Sequence, residues 1–244
     1  MREFCLIGKT LRHSFSQKYF EEKFLREQIT DASYSLFELT DIKQLTEFIR
    51  QRPQLVGFNV TIPYKQQIIP YLDELSEEAA AVNAVNTVVI ERVGGQILTT
   101  GHNTDIFGFR ESLRKVDLPK QALVLGTGGA AAAVTYVLEN LGCRCTAISR
   151  DPQRGLPYSA LNADIIRQHK FIVNCTPLGT YPNINEKPDI PYEGLSGEHF
   201  LYDLVYNPSE TAFLKEGILH GAKVQNGLQM LHAQAEASWR IWNN

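Results

Sequence analysis

The sequence lacks the features that would place the protein in a membrane or on a nucleic acid. No stretch reaches the roughly 18 apolar residues of a membrane-spanning helix. The 24 Lys and Arg residues are balanced by 27 Asp and Glu residues, so there is no basic excess with which to bind nucleic acid or an anionic lipid surface. The apolar run at the N-terminus is too short for a signal peptide, and we expect a cytoplasmic protein.

Cysteine is also scarce, with four residues in 244. All four lie in apolar or strand-like segments, so we expect reduced, buried thiols rather than disulfides. Cys143 and Cys145 have the spacing of half a metal site, but no second pair of His or Cys stands nearby, and we predict no metal. Repeats, low-complexity segments and a Gly/Ser linker are absent as well. At 43% apolar residues the chain can bury the core of one large domain or two modest ones.

The first hundred residues alternate short apolar runs with helix-like patterns. The alternation predicts a mostly parallel sheet with helices between its strands. The strand-like runs cover residues 3–8, 34–39 and 55–60, and the helix-like patterns cover 17–28 and about 41–51, with a further helix starting at Pro63.

A hairpin follows this first series. Two strand-like segments, 86–91 and 96–101, flank Gly94 and Gly95. If the turn is centred between the two glycines, Asn86 lies opposite Asn103, two residues before Asp105.

A second series of strands and helices begins at residue 121. The strand 121–125 runs into a glycine turn, and the helix 130–141 and the strand 144–148 come after it. Later strands are predicted at 171–175, 200–205 and 222–225, and helices at 209–220 and 228–239. We place a domain boundary near residues 104–106, with a helical or tight connection because no flexible linker marks it.

The glycine turn, Gly126-Thr127-Gly128-Gly129-Ala130-Ala131, matches the G-x-G-x-x-A fingerprint of dinucleotide sites. The first glycine allows the tight turn, the second lets a pyrophosphate approach the backbone, and the small third residue lets helix and strand pack closely. The helix N-terminus then offers N–H groups to the phosphates. The alternative is an ordinary tight turn in another kind of α/β protein.

The strand after this turn bears on the choice of dinucleotide. An NAD site places Asp or Glu about 20 residues on, whereas here the strand ends at Ser149 and Arg150, with Arg154 nearby. Arginine suits the 2′-phosphate of NADP through paired, charge-assisted hydrogen bonds. Asp151 leaves NAD open, and the two arginines could also be plain solvated charges.

Polar side chains cluster after the predicted strands, where open α/β sheets bind ligands. Hydroxyls and amides dominate, and they suit a small molecule with several hydroxyl groups, each needing a donor and an acceptor. The alternative for any single segment is that its polar residues form turns and caps. The segments are His13-Ser14-Phe15-Ser16, Asn59 to Lys65, Asn83 to Thr87, and Asn103-Thr104-Asp105.

The ordered set of motifs resembles the shikimate dehydrogenase family. Asn59-Val60-Thr61-Ile62-Pro63-Tyr64-Lys65 is similar to its N-V-T-x-P-[FY]-K motif, and Gly126 to Ala130 to its G-A-G-G-A turn. The resemblance runs from about residue 5 to residue 236. Its other segments are His13-Ser14-x-Ser16, Ala84 to Thr87, Asn103 to Asp105, Asn174 to Gly179, Tyr202 to Tyr206 and Gly227 to Ala235.

The resemblance implies an oxidoreductase that interconverts shikimate and 3-dehydroshikimate with NADP, in chorismate and aromatic amino-acid biosynthesis. It implies a mostly parallel α/β substrate domain, residues 1–104 plus 226–244, facing a Rossmann-type NADP domain, residues 105–225, across a cleft. Lys65 and Asp105 are the implied catalytic residues. The implied substrate ligands, besides these two, are Ser14, Ser16, Asn59, Thr61, Asn86, Tyr206 and Gln234. The implied cofactor ligands are Gly126, Thr127, Gly128, Gly129, Ala130, Ser149, Arg150, Arg154, Leu204, Gly227, Met230 and Glu77.

The chemistry is consistent with these residues, because oxidising a secondary alcohol needs a group that takes the hydroxyl proton. Either a lysine with a lowered pKa or a carboxylate can do so, and the sequence leaves open which of Lys65 and Asp105 is the base. Lys65 could instead be a surface lysine in a first helical turn, and Asp105 a helix N-cap. The expected partner is a small molecule, with neither nucleic acid nor membrane, in a monomer or homodimer.

Three departures from the family pattern stand out. Gln17 replaces a usual proline, the segment after Arg154 is short, and the sequence ends soon after Gln234. The second departure concerns the adenosine end of the cofactor site. Two other functions therefore stay open: an NAD-preferring quinate/shikimate dehydrogenase, and a non-catalytic protein that senses the same ligand.

Overall fold

The computed structural model of the protein describes residues 1–11 and 14–244. This part of the chain forms two compact units. The first comprises Met1–Thr104 and Ala235–Asn244, and the second comprises Asp105–Gln234. Both divisions fall inside helices, so the chain passes from one unit to the other without a loop.

The sheet of the first unit is mixed. Its strands are β1 (Arg2–Gly8), β2 (Ala32–Glu38), β3 (Leu55–Val60), β4 (Glu74–Leu75), β5 (Thr87–Val93) and β6 (Gln96–His102), in the order β2-β1-β3-β5-β6-β4. Strands β2 and β3 pair in parallel with β1, whereas β5 and β6 continue the sheet antiparallel. Thr87 pairs with His102, which is the register predicted for a hairpin centred between Gly94 and Gly95. Both glycines have positive φ, 60° and 84°, as this turn requires.

Four short helices and the end of a fifth cover this sheet. They are α1 (Ser16–Arg26), α2 (Leu45–Arg50), α3 (Tyr64–Gln67), α4 (Glu77–Val82) and the last part of α9 (Leu228–Trp242). The single helix predicted for residues 41–51 is divided, because Asp41 caps a 3₁₀ turn at Ile42–Gln44 before α2 begins. In the core, the Phe20 ring stacks on Tyr34 at 4.3 Å between centroids. Trp242 Nε1 donates to the Val88 carbonyl at 3.0 Å, which ties the last helix to the sheet.

The second unit is built on a wholly parallel sheet. Its strands are β7 (Gln121–Leu125), β8 (Arg144–Ser149), β9 (Leu156–Pro157), β10 (Phe171–Asn174), β11 (Phe200–Asp203) and β12 (Lys223–Asn226), in the order β12-β11-β10-β7-β8-β9. Its helices are α5 (Thr104–Ser112), α6 (Gly129–Asn140), α7 (Ala163–Gln168), α8 (Ala212–Leu219) and the first part of α9. The strand order reverses between β7 and β10, and open α/β sheets bind ligands at such a point.

The chain returns to the first unit later than the sequence predicts. The compact units divide at Gln234, not at residue 225. Two contacts explain the later return: β12 pairs with β11, and the first half of α9 passes so close to α5 that a Cβ at Gly108 would lie 2.6 Å from the Met230 carbonyl. Within residues 1–11 and 14–244, no helix has the length and apolar character needed to cross a membrane.

Candidate active site

A buried polar network in the first unit contains two of the residues implied as substrate ligands. Asn59, at the end of β3, is 6% exposed, and Asn86, just before β5, is 3% exposed. The Asn59 amide nitrogen donates to the Asn86 carbonyl at 3.1 Å, to Thr87 Oγ1 at 3.0 Å and to Ser238 Oγ at 3.0 Å. Its amide oxygen accepts from the Tyr34 hydroxyl at 2.8 Å.

Asn86 links this network to the start of α5. Its side-chain oxygen accepts from the Thr104 backbone N–H at 2.7 Å, and its amide nitrogen donates to Thr104 Oγ1 at 3.0 Å. Ser238, on α9, lies within hydrogen-bond distance of Thr87 (2.8 Å) and Thr104 (3.1 Å). The amides are therefore held by contacts from three parts of the chain that are far apart in sequence.

The remaining substrate-side residues of the first unit surround β1 and β3. Ser14 Oγ accepts from the Ser16 backbone N–H at 3.3 Å, and both serines are half-buried at the start of α1. Thr61 donates its backbone N–H to the Ile7 carbonyl at 3.0 Å, which fixes the segment that leads into α3. His13, from the same motif as the serines, lies outside the described residues.

Lys65 is the second residue of α3 and is half-buried. Its carbonyl accepts from the Val85 backbone N–H at 2.7 Å, so the lysine segment and the Asn86 segment are adjacent in the first unit. Asp105, 5% exposed, belongs to the second unit and lies in the first turn of α5, which starts at Thr104, so it is not the N-cap. Glu77 is the exposed first residue of α4 in the first unit.

The glycine turn of the second unit has the backbone that a dinucleotide site needs. Gly126 has φ of 109°, a region that side chains with a Cβ rarely adopt. Gly128 is the N-cap of α6, and a Cβ built there would meet nothing within 4 Å. Gly129 and Ala130 open the helix, whose first N–H groups have no partner within it. An anion can therefore approach this backbone closely, so the residues fit a pyrophosphate.

Two of the residues implied for the adenosine end, Ser149 and Arg154, contact the same turn. Ser149, buried at the end of β8, has its hydroxyl 3.3 Å from Thr127 Oγ1 and accepts from the Asp151 backbone N–H at 3.1 Å. Arg154 donates from Nη2 to the Thr127 carbonyl. Arg150 and Arg154 are both exposed, so both guanidinium groups can reach a ligand from solvent. The position of the two arginines fits a second phosphate group.

The remaining implied cofactor ligands, Leu204, Gly227 and Met230, and the implied substrate ligands Tyr206 and Gln234 lie in the loops after β11 and β12 and on α9. A Cβ at Gly227 would collide with the Leu204 carbonyl, so only glycine fits there. Met230 is buried on α9, and Gln234, one turn later, donates to the Leu231 carbonyl at 2.9 Å. Tyr206 is half-buried in the loop after β11.

A buried carboxylate beside this group was not predicted as a site residue. Asp203, fully buried at the end of β11, accepts from Asn174 Nδ2 at 2.9 Å, from the Val205 backbone N–H at 3.0 Å and from Thr211 Oγ1 at 2.6 Å. Burial raises the pKa of Asp203 to about 6, although these three hydrogen bonds act to lower it. Asp203 therefore anchors the loop that carries Leu204 and Tyr206.

Neither thiols nor metals provide an obvious reactive group in the described part of the chain. The four cysteines are free, and Cys145 and Cys175 are half-buried rather than buried as expected. Burial raises the pKa of the Cys5 and Cys175 thiols well above its usual value, which disfavours the nucleophilic thiolate. No cluster of His, Cys, Asp or Glu among residues 1–11 and 14–244 could hold a metal ion.

The chain is similar to known proteins over almost its whole length. Residues 6–88 match the family model of the shikimate dehydrogenase substrate binding domain. A relative from Caldicellulosiruptor bescii, named shikimate dehydrogenase (NADP(+)), is 39% identical, covering 99% of this chain and 89% of the relative. The crystal structure of shikimate 5-dehydrogenase from Thermus thermophilus, in complex with NADP(H) and shikimate, is 33% identical with a TM-score of 0.85, covering 99% of this chain and 93% of that one.

A quinate dehydrogenase structure is also similar. The enzyme from Corynebacterium glutamicum, in complex with NAD, is 28% identical with a TM-score of 0.86, covering 99% of this chain and 93% of that one. These likenesses confirm the α/β fold class and the resemblance that the motifs predicted. The identity to the NADP(+) relative, over nearly the full length of both chains, decides the classification. The chain belongs to the shikimate dehydrogenase family.

Proposed function

We propose that the protein is an NADP-dependent shikimate dehydrogenase, which interconverts shikimate and 3-dehydroshikimate. The observation that carries the proposal is the full-length similarity to relatives named for this activity, in a chain that has the polar side chains and the glycine turn the activity needs. The buried amides of Asn59 and Asn86 supply fixed hydrogen-bonding groups for a polyhydroxylated substrate.

Substrate binding is assigned to the polar side chains that the family resemblance implies. In the first unit the half-buried hydroxyls and the buried amides are suited to the hydroxyl groups of shikimate, and the Lys65 ammonium is suited to a negative or developing negative charge. The proposed substrate ligands are Ser14, Ser16, Asn59, Thr61, Lys65, Asn86, Asp105, Tyr206 and Gln234.

Removal of the proton from the reacting hydroxyl is assigned to Lys65 and Asp105. When bound, NADP⁺ supplies the acceptor for the hydride that leaves the carbinol carbon. Oxidation of the alcohol also removes the hydroxyl proton, and a positioned side chain must take it. Lys65 is half-buried and Asp105 is 5% exposed, so both charges are partly withdrawn from water. Away from water a charge acts more strongly on a bound hydroxyl.

The cofactor is assigned to the second unit and to Glu77. The bare backbone at Gly128, the left-handed conformation at Gly126 and the N-terminus of α6 support a pyrophosphate there. Ser149, Arg150 and Arg154, at and just after the end of β8, are assigned to the 2′-phosphate that distinguishes NADP from NAD. Thr127, Gly129, Ala130, Leu204, Gly227 and Met230 complete the proposed set.

A rate measurement with four pairs of reactants tests the proposal. Purified protein is incubated with shikimate or quinate and with NADP⁺ or NAD⁺, and reduced nicotinamide is followed by its absorbance. We expect the highest kcat/KM with shikimate and NADP⁺. A preference for quinate with NAD⁺ would instead favour an NAD-preferring quinate/shikimate dehydrogenase. The similarity to the quinate dehydrogenase structure is the observation that supports this alternative. Turnover with none of the pairs would support a ligand sensor. The cytoplasmic location and the choice between monomer and homodimer stay predictions.

A further inference from the structure

The Tyr34 hydroxyl is a buried group to which neither the motifs nor the proposed function assigns a role. Tyr34 lies on β2 and is 3% exposed, and its ring is fixed by the stack on Phe20. Its hydroxyl donates to Asn59 Oδ1 at 2.8 Å. A buried amide whose oxygen loses its donor pays the full cost of desolvation, so this contact determines how Asn59 is held.

The hydrogen-bond capacity of Asn59 limits what it can offer a ligand. Its amide nitrogen has two hydrogens, and three acceptors lie within 3.1 Å: the Asn86 carbonyl, Thr87 Oγ1 and Ser238 Oγ. The nitrogen is therefore saturated inside the protein. The amide oxygen can accept two hydrogen bonds, and Tyr34 supplies one of them, which leaves one lone pair for a ligand.

One contact fixes the orientation of the amide. Thr87, Ser238 and Tyr34 carry hydroxyls that can donate or accept, so none of them alone would exclude a flipped amide. The Asn86 carbonyl can only accept, so it requires an N–H of the amide, and the Tyr34 hydroxyl then donates to the amide oxygen. Because Tyr34 is buried, its pKa is raised well above the usual value, and the hydroxyl keeps its proton at neutral pH.

We propose that Asn59 binds a hydroxyl group of the substrate as a hydrogen-bond acceptor, and that Tyr34 is the positioning residue that keeps the Asn59 oxygen in place for it. The inference rests on the proposed function, which supplies the polyhydroxylated substrate. Tyr34 contributes to substrate affinity without touching the reacting atoms.

Tyr34→Phe tests this inference, because it removes one oxygen and keeps the ring that packs on Phe20. We expect the KM for shikimate to rise about tenfold, since an oriented acceptor is lost, while kcat and the KM for NADP⁺ stay within about twofold. Tyr192→Phe is the matched control: it removes a half-buried hydroxyl that donates to the Pro188 carbonyl at 2.7 Å in the second unit. The control should leave both KM values unchanged.

A second measurement separates positioning from a general loss of structure. Wild-type protein and Tyr34→Phe are compared on analogues of shikimate that each lack one ring hydroxyl. The variant should lose affinity for every substrate that carries the hydroxyl bound by Asn59, and should match the wild type on the analogue that lacks it. Equal losses on all analogues would overturn the inference, as would an unchanged KM for shikimate.

The two proposals fail in different ways. If the wild-type protein does not oxidise shikimate, the proposed function is contradicted. If the wild-type protein oxidises shikimate and Tyr34→Phe lowers kcat with an unchanged KM, only the role of Tyr34 is contradicted. Thermal unfolding of the variant accompanies both measurements and shows whether it is folded at the assay temperature.

Discussion

Asp203 shows how a single buried charge can affect stability and loop position together. The carboxylate is fully buried, and its partners are two side chains and one backbone N–H rather than a cation. Burial disfavours the charged form, whereas the three donors favour it. The rise of its pKa to about 6 shows that burial is the larger effect.

We expect the ionisation of Asp203 to lower the free energy of unfolding as the pH rises from about 4 to about 6. The usual pKa is 3.8 and the folded pKa is about 6, so in this window the folded state binds more protons than the unfolded state. The free energy of unfolding therefore falls with rising pH, by up to about 3 kcal/mol for a shift of about two units. Asp203→Asn, which keeps the shape and does not titrate, should lack this component.

The measurement is denaturant unfolding of both proteins across this pH range. The difference in the free energy of unfolding, wild type minus Asp203→Asn, should decrease most steeply between pH 4 and pH 6 and level off above about pH 7. A difference that is flat or that increases with pH would contradict the raised pKa. The other carboxylates cancel, because the substitution leaves them unchanged.

The candidate ligands were easier to predict than the contacts that hold them. Asn59 and Asn86 stand in short motifs, and their place after strands indicates a ligand-binding role. Ser238 has no such signal, because it meets Asn59 across 179 residues of sequence and lies on the inner face of an amphipathic helix. Tyr34 likewise resembles any strand tyrosine until the pairing of β2, β1 and β3 brings it beside Asn59.

At the scale of elements, the turn between β7 and α6 contains two glycines with different requirements. Gly126 needs its backbone conformation, with φ of 109°, whereas Gly128 has an ordinary φ of −83° and open space where a Cβ would stand. The first glycine therefore serves folding. The second serves the approach of a ligand to the backbone.

Alanine at each position should separate the two requirements. Gly126→Ala should lower the free energy of unfolding by about 1–3 kcal/mol, because the residue is forced into a strained conformation. Gly128→Ala should cost less than about 1 kcal/mol, the range of an N-cap change, yet raise the KM for NADP⁺ at least about tenfold. Thermal unfolding and initial rates measure both. A Gly128→Ala protein with an unchanged KM for NADP⁺ would contradict the assignment of this turn to the cofactor.

The accuracy of the predicted elements depends on their length. The strands at 55–60 and 121–125 have the bounds that the sequence predicts, because most of their side chains are apolar and all but one residue in each strand is buried. Helices α4 and α7, of six residues each, were not predicted, since one or two turns are too short to establish a helical period. The two-residue strands β4 and β9 were missed for the same reason.

For the whole molecule, the first division between the compact units, between Thr104 and Asp105, lies after the hairpin and before the second series of strands and helices. The return of the chain was harder to place, because α9 is one continuous helix whose first half packs on α5 and whose end packs on β1 and β5. The spacing of apolar residues along α9 is the same whichever element the helix packs on, so the sequence does not show where the contact changes. The assignment of substrate and cofactor to particular units stays a proposal.

The full chain is proposed to oxidise shikimate with NADP⁺, and Lys65 is proposed to take part in the chemistry. The most direct test is the initial rate of NADPH formation from shikimate for the wild type, Lys65→Ala and the control Lys43→Ala, an exposed lysine of the same unit. We predict ready turnover by the wild type and the control, and a loss of about 10²–10⁴-fold in kcat for a folded Lys65→Ala protein. A near-normal rate in Lys65→Ala would contradict the role of Lys65, and no NADPH from the wild type would contradict the proposed activity.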